Sequence, residues 1–516
     1  MAAETELKLI ASPRTLAKLP NLPWLREMAC GRGKKEKLVS VYFDTPDCEL
    51  ERRHVALRIR RQSGRRIQTI KTETDGAGPL SRGEWEQTVA NGRPDLAAAT
   101  GTPLEPLLNK RTKKTIQPMF ETHIERTTIP LRAGASTVEL ALDRGFVRAG
   151  KRRESVHEIE LELKQGDTRD LAALAERFVE SERIAWGALT KAERGYRLKH
   201  GHQRQPFKAN EIRLDPSQSV ASAFARIGLS CLHHLAGNEA AVRKGDPEGV
   251  HQMRIGLRRL RAAISVFKSV VQDEKTGSVK EELKWLTGEL APARDLDVLV
   301  EHGLDPLRDE QPAKRDIDIL KSDVRDKRKE GLRQAKAALE TQRYRELVLR
   351  TALWLIAGPW SQNQGLVAKS ALQARIDGFA PEVLRMRWKK VAKKSRKADE
   401  LDASGRHKLR IAVKKLRYSL GFFASLFAGK TEKKARKDFE DLLKTLQDAL
   451  GKLNDFATHD KFADQTMQLG RCTRKDLRKA YAMGLLFGSE HKRAGACIAD
   501  VKKTGKKLAD AEPFWR

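Results

Sequence analysis

The chain opens on an alternation that only a β-strand can use. In Glu4-Thr5-Glu6-Leu7-Lys8-Leu9 the charged residues fall at every second position, with Thr5, Leu7 and Leu9 between them. Successive side chains of a strand point to opposite faces, so Glu4, Glu6 and Lys8 share one face. The pattern recurs through the first 200 residues. Arg58 and Arg60 lie opposite Leu57 and Ile59, and Lys71 sits on a short strand, 67–72. Arg82, Glu84 and Glu86 lie opposite Trp85. Glu139, Ala141 and Asp143 lie opposite Val138, Leu140 and Leu142, and Glu158, Glu160 and Glu162 opposite Ile159, Leu161 and Leu163. One or two charged rows suit a solvated sheet face, but this many, with both signs present, call for a polar barrel interior. Closure also removes unpaired strand edges. A lumen dense in carboxylates suits hard divalent cations, and one dense in Arg and Lys suits phosphate oxygens. A lumen with both suits a metal–polyphosphate complex.

Charge separates the chain into two parts. Residues 1–200 hold 37 Lys and Arg against 28 Asp and Glu, which leaves 64 against 41 for residues 201–516, so the second part carries +23 of the total +32. Such a surplus calls for a polyanionic partner. A polar stretch at 201–216 separates the parts, and Asp215-Pro216-Ser217 reads as a helix start. Beyond it, helical periodicity runs through 217–243, 247–271, 279–301, 313–340, 342–357, 366–379, 382–396, 404–427, 432–452, 456–469 and 473–509, with no convincing strand. The fold class is therefore α+β, with an antiparallel β-barrel followed by an all-α part.

The helical part repeats itself. His251-Gln252-Met253-Arg254-Ile255-Gly256-Leu257-Arg258-Arg259-Leu260-Arg261 matches His407-Lys408-Leu409-Arg410-Ile411-Ala412-Val413-Lys414-Lys415-Leu416-Arg417 at an offset of 156, and 290–297 matches 450–456 at an offset of 160. Repeats of this length mean duplicated bundles, about 217–360 and 366–510, and not a solenoid. On a helix, His251, Arg254, Arg258 and Arg261 form one stripe, as do His407, Arg410, Lys414 and Arg417. A pseudo-twofold would set both stripes on one cavity, and stripes this basic repel without an anion between them.

Cysteine use and the N-terminus point to the cytoplasm. Cys30, Cys48, Cys231, Cys472 and Cys497 are scattered and show no CxxC, which argues against a disulfide framework or a zinc site. The first strand begins almost at once, leaving no room for a signal peptide. The most apolar run, 351–360, is too short to span a bilayer.

Residues 1–200 resemble the CYTH domain, the family of triphosphate tunnel metalloenzymes. The resemblance rests on Glu4-x-Glu6-x-Lys8, Tyr42-Phe43-Asp44-Thr45, Ala56-Leu57-Arg58-Ile59-Arg60, Gln68-Thr69-Ile70-Lys71-Thr72, Arg82-Gly83-Glu84-Trp85-Glu86, the 158–163 run, and Thr190-Lys191-Ala192-Glu193-Arg194-Gly195-Tyr196. It implies an eight-stranded antiparallel tunnel that binds triphosphate with Mg²⁺ or Mn²⁺. Residues 217–510 resemble the CHAD domain, with His251 and His407 at the positions of its name-giving histidines. That resemblance implies two four-helix subdomains around a basic groove for inorganic polyphosphate. The second copy departs from the first: Lys414 and Lys415 stand for Arg258 and Arg259, and Asn454 for Arg294, so the bidentate fork is lost while charge survives at the first two.

Together these readings predict a cytoplasmic hydrolase of inorganic triphosphate, placed on polyphosphate or its granules by the helical domain. Lys8, Arg58, Arg60 and Lys71 are the expected catalytic cations, with Arg82, Arg126 and Lys191 holding substrate. Glu4, Glu6, Asp143, Glu158, Glu160 and Glu162 are the expected metal ligands. Nucleic acid is not expected as a specific partner, because aromatics for base stacking are only 6% of the chain, and no membrane is expected. The alternatives are a non-catalytic polyphosphate scaffold, or an enzyme of an organic triphosphate such as a thiamine triphosphatase or adenylate cyclase. No Ser/Cys–His nucleophile pair and no Walker A loop is present.

Overall fold

The computed structural model describes residues 2–72, 81–201, 205–310, 312–362, 365–466 and 473–515. The first 200 residues carry nine strands with short helices between some of them: β1 (Ala2–Ala11), β2 (Lys34–Asp44), β3 (Val55–Gln62), β4 (Arg65–Thr72), β5 (Ser81–Thr88), β6 (Gln117–Ala133), β7 (Ser136–Ala149), β8 (Arg152–Gln165) and β9 (Ile184–Trp186). Eight of them close a ring in the order β5-β4-β3-β2-β6-β7-β8-β1, with β1 pairing back onto β5 through Glu4↔Arg82. Every pairing in the ring is antiparallel. The short β9 adds to the far end of β1 at Leu9–Ala11, outside the ring.

The ring is inverted relative to a water-soluble barrel. Leu7 and Leu9 on β1, Leu140 on β7 and Ile159 and Leu161 on β8 face outward and are buried. Helix α1 (Thr168–Ser181) covers them with Leu171, Leu174 and Phe178. Helix α2 (Lys191–His200) closes another flank, opening on a capping box in which Thr190 and Glu193 satisfy each other's backbone N–H groups. Gly195 of this helix lies so close to the Phe120 ring that an added Cβ would meet its carbons at 2.0–2.4 Å. Tyr196, one residue on, packs edge-on against the same ring and donates to Asp44 at 2.8 Å.

The helical part carries α3 (Val220–Ala236), α4 (Pro247–Val266), α5 (Lys275–Val298), α6 (Lys314–Glu340), α7 (Gln342–Ala357), α8 (Ile376–Arg396), α9 (Ala403–Phe423), α10 (Lys430–Thr466) and α11 (Arg474–Asp510), with shorter helices between some of them. The duplication is visible in the packing. α4 lies against α3 and α5, and α6 against α5; in the second copy α9 lies against α8 and α10, and α11 against α10. The two His-led helices, α4 and α9, pack on each other. Several boundaries differ from the periodicity, among them the division of 217–243 after Ala236 and the end of the 366–379 segment at Gln373. Segment 432–452 and residues 456–466 belong to one continuous helix that includes Leu453, Asn454 and Asp455, and the end of the expected second segment, 467–469, lies outside the described residues. α8 starts at Ile376 and not at 382; Pro381 falls in its second turn and removes one backbone hydrogen bond, while Ile376, Ala380, Val383 and Leu384 bury around it and hold the helix.

The barrel and the helices share one apolar cluster, running from Leu7 and Leu9 through Leu171 and Phe178 to Val220, Phe224 and Leu349. α7 packs on α1 across that seam, and Arg350 pairs with Glu176 at 2.9 Å. No helix among the described residues is long and apolar enough to cross a membrane.

Two glycines should respond oppositely to alanine. Gly195→Ala forces the Phe120 ring to move and should cost roughly 1–3 kcal/mol. Gly451, inside α10, has nothing within 4 Å of an added Cβ, so Gly451→Ala should stabilise by roughly 0.5–1 kcal/mol. Urea-unfolding midpoints read both signs.

Candidate functional site

The barrel interior is a cavity of about 840 Å³. Strand register brings the charged rows into it: Glu6 and Lys8 from β1, Arg58 and Arg60 from β3, Lys71 from β4, Glu84 and Glu86 from β5, Arg126 from β6, Glu160 and Glu162 from β8, and Lys191 from α2. Cross-strand pairing sets Lys8 beside Glu160 and Lys71 beside Glu84. Their side chains meet at 3.6 and 3.1 Å. Glu6 also lies 3.6 Å from Lys8.

One wall is neutralised. Arg126 forks onto Asp143 with two 2.7 Å hydrogen bonds and donates to Glu160 as well. Lys191 reaches Asp143 at 2.8 Å, Glu158 at 2.5 Å and Glu160 at 2.6 Å. Arg194 holds Glu158 at 2.6 Å and Glu154 at 2.7 Å. Burial alone would raise the Asp143 and Glu160 carboxyls, but Lys191 and Arg126 outweigh it and hold both below the usual carboxylate range, Glu160 far below. Burial likewise works against the charge of Lys191 and Arg126, and the carboxylates reverse it, raising both well above their ordinary values.

The opposite wall, which carries Glu84 and Glu86, is matched less completely. Arg58 approaches Glu84 only to 3.6 Å. The Nε atoms of both Arg58 and Arg60 are buried without a hydrogen-bond partner. Burial, reinforced by the like charges of Arg58 and Arg126, pulls Arg60 down to about 10. Burial would raise the Tyr42 phenol, yet Arg58 beside it, with Arg60 and Lys191, holds it below its ordinary value. A buried donor left unmatched costs its full desolvation. This wall is therefore shaped for an anion.

The structure separates the expected site residues by depth. Lys8, Arg58, Arg60, Lys71, Arg126, Lys191, Glu6, Glu160 and Glu162 line the cavity together. Asp143 and Glu158, 0% and 1% exposed, lie behind the wall as counter-ions of Arg126, Lys191 and Arg194. Carboxylate oxygens of Asp143, Glu158 and Glu160 lie within 4.8 Å of one another. Glu4 and Arg82 oppose each other in the β1–β5 register, and their side chains lie outside the described residues. The sequence reading left Glu36, Tyr42, Glu84, Glu86 and Arg194 out of the site. Glu84 and Glu86 share the row of Arg82, and Arg194 follows Lys191 by one helical turn, so each carried a signal.

A second cationic site lies where α4 meets α9. Arg254 donates to the Leu290 carbonyl at 3.1 Å and to Asp295 at 3.2 Å. Its partners are few. Nε of Arg258 and of Arg410, and one terminal nitrogen of Arg259, are buried without a partner. Burial, together with Arg410 and Arg258, brings the Lys414 ammonium down to about 7, and burial with Arg258 lowers Arg410. The two stripes thus converge at Arg258, Arg410 and Lys414, while Arg261 and Arg417 are exposed at their far ends. His251 departs from the expectation of an ordinary imidazole: burial and Arg294 push it down, so its charge arrives only at more acidic pH. His407 is exposed, with Nδ1 3.3 Å from Asn454.

Residues 2–196 match the family model of the CYTH domain, and residues 226–464 match that of the CHAD domain. The chain carries a CYTH domain followed by a CHAD domain. An inorganic triphosphatase from Haemophilus influenzae is 32% identical over 201 residues, 38% of this chain and 55% of the relative. The chain thus spans about half the length of that relative. An uncharacterised Mycobacterium tuberculosis protein is 25% identical over 92% of this chain and 90% of its own. The solved CHAD domain of the plant Ricinus communis superposes with a TM-score of 0.50 at 27% identity, covering 60% of this chain and 97% of that one. The CYTH match contains every strand of the barrel and Lys191, and the CHAD match contains both His-led helices.

Removing the counter-ion at the base of the CYTH lumen should be costly and pH-dependent. Asp143→Asn leaves Arg126 and Lys191 short of one charge and should destabilise by roughly 3–5 kcal/mol. The Asp143 and Glu160 carboxyls are depressed, so their stabilisation is present above the unfolded pKa and is lost as pH falls through the folded one. The gap in melting temperature between wild type and variant should persist from pH 7 to below about 4 and close only under more acid conditions.

Proposed function

We propose that the CYTH tunnel hydrolyses inorganic triphosphate to pyrophosphate and phosphate with Mg²⁺ or Mn²⁺, and that the CHAD groove holds inorganic polyphosphate. The observation that carries the first half is the pair of buried, unpartnered Nε groups of Arg58 and Arg60 beside a cluster of carboxylates. A phosphate oxygen supplies the missing acceptors, and its charge offsets the burial and the like charges of Arg58 and Arg126 that together lower Arg60.

The carboxylates fit a hard cation, since Glu6, Glu160 and Glu162 offer oxygen donors only. When bound, such a cation neutralises phosphate charge and polarises the scissile phosphorus. The protein's own share is positioning. Arg58, Arg60 and Lys71 grip one side of the triphosphate, and Lys8, Arg126 and Lys191 grip the other. Asp143, Glu158 and Arg194 fix the Arg126 and Lys191 heads, so little reorganisation is needed at the transition state. Phosphoryl transfer asks for this more than for covalent help.

An organic triphosphate is the second reading. It is favoured by Phe207 and Asn210, which line the same cavity and offer an aromatic and an amide surface. In the CHAD groove, the unpartnered nitrogens of Arg258, Arg259 and Arg410 and the depressed Lys414 support a polyanion. A cytoplasmic protein held on polyphosphate granules follows from that assignment.

Phosphate release from triphosphate, ATP and thiamine triphosphate, with and without Mg²⁺, tests the tunnel. Glu6→Gln should abolish metal-dependent turnover, on the order of 100-fold or more, with folding intact. Arg60→Ala should raise KM and lower kcat while Mn²⁺ affinity stays close to wild type. Loss of Mn²⁺ binding in Arg60→Ala as large as that in Glu6→Gln refutes the division of roles, and faster hydrolysis of either organic triphosphate favours the second reading.

The groove is tested with long-chain polyphosphate and no metal. Affinity should fall with salt, as for other polyanions, and rise with chain length. Arg254→Glu combined with Arg410→Glu should abolish binding. Bound anion raises the Lys414 pKa from about 7, so binding takes up protons and tightens as pH falls through 7. Calorimetry in two buffers of different ionisation enthalpy measures the uptake, and displacement by duplex DNA at equal phosphate concentration overturns the polyphosphate assignment.

A further inference from the structure

Beside the tunnel lies a second donor cluster of different chemistry. Cys48 Sγ is 3.7 Å from His200 Nε2, and the same nitrogen is 3.1 Å from Glu51 Oε2. The three donor atoms fall within 4.8 Å of one another. The hard-cation set in the lumen is all oxygen, whereas this one is sulfur, nitrogen and oxygen. Tetrahedral zinc with bonds near 2.3 Å to sulfur and about 2.0–2.1 Å to nitrogen and oxygen sets S···N at roughly 3.6 Å and N···O at roughly 3.3 Å. The observed separations match both edges to within about 0.2 Å.

The cluster is held from several sides. Asp44, fully buried, accepts from the backbone N–H groups of Thr45, Leu50 and Glu51 and from the Tyr196 hydroxyl. This fixes the 44–51 turn and ties α2, whose last residue is His200, to it. Cys48 adopts φ +54°, a conformation that a cysteine rarely takes. That turn starts a single helical turn, Glu49–Arg52, which presents Glu51 on the same side as Cys48. Cys48 is itself buried, while His200 and Glu51 are partly open, so an ion has an entry path from solvent.

We propose that Cys48, Glu51 and His200 form a binding site for a thiolate-preferring divalent cation of the zinc class, at the rim of the tunnel. The thiol loses its proton to solvent as the metal–sulfur bond forms, and no electron changes hands. The site joins the β2–β3 connection to the end of the helix that carries Lys191 and Arg194. The wide spacing of Cys48 and His200, 152 residues apart, hides it from any short motif.

The test uses the full chain stripped with a chelator and titrated with Co²⁺, whose thiolate charge-transfer band and tetrahedral d–d bands report sulfur ligation. The expected result is one equivalent of Co²⁺ with the charge-transfer band, displaced by Zn²⁺. Cys48→Ser should remove the band, and it should weaken Zn²⁺ binding by more than the roughly 10–100-fold that loss of an outer partner costs. His200→Gln, at an exposed helix end, should shift the d–d bands and weaken Zn²⁺ binding, and it serves if the serine variant unfolds. A wild-type titration without a charge-transfer band, or one unchanged in Cys48→Ser, overturns the site. Co²⁺ taken up by the all-oxygen lumen gives no such band.

Discussion

Turning charged rows inward is the constraint on which the rest of this structure depends. An inward charge must be matched, because the effective cost of burying an unpaired ion is several kcal/mol. The alternate residues, Leu7, Leu9, Leu140, Ile159 and Leu161, must then face outward. Burying a side chain of that kind is worth about 1.5–3 kcal/mol, and exposing a row of them would leave a large apolar patch. The chain covers them with α1, and the apolar cluster continues from there into the helical domain. The polar lumen thus explains both the ion-pair network inside and the helices packed outside.

The lumen divides its charges unequally, and the division has a chemical use. On one wall Asp143, Glu158 and Glu160 bind Arg126, Lys191 and Arg194 tightly, which fixes the cationic heads in place. On the other, Arg58 and Arg60 keep unmatched donors. The first wall supplies rigidity and the second supplies affinity, and a polyanion seated between them meets preorganised charge. The α4–α9 groove repeats the second arrangement. Arg258 and Arg410 keep buried Nε groups without a partner beside Lys414, so both domains hold unmatched guanidinium donors.

Much of this was legible because strand and helix periods are simple. Alternation marked Glu6, Lys8, Arg58, Arg60, Glu160 and Glu162 as sharing faces, and those faces do point inward. The offset of 156 marked α4 and α9 as equivalent, and they pack together. Period alone does not give depth: Asp143 and Glu158 obey the same alternation as Glu160 yet sit behind the wall. Nor does it give partners distant in sequence: the turn after Lys191 marks Arg194, but its partners Glu154 and Glu158 follow only from the packing of α2 beside β8. The pair of Cys48 and His200 escaped notice for the same reason. The start of α8 lies six residues before the expected 382, and the break expected near residue 454 is absent because α9 and α11 pack along α10. The resemblance to the two families did not depend on these details, since the matching blocks lie on the lumen strands and the His-led helices.

The measurement that bears most directly on the unmatched-donor account is a crystal structure of the full chain with tripolyphosphate. The account predicts phosphate oxygens within hydrogen-bonding distance of Nε of both Arg58 and Arg60, with the Arg126 and Lys191 heads still held by Asp143 and Glu158. Triphosphate bound outside the barrel, or a lumen in which Glu84 and Glu86 close onto those two guanidinium groups and leave no space for the anion, would contradict it.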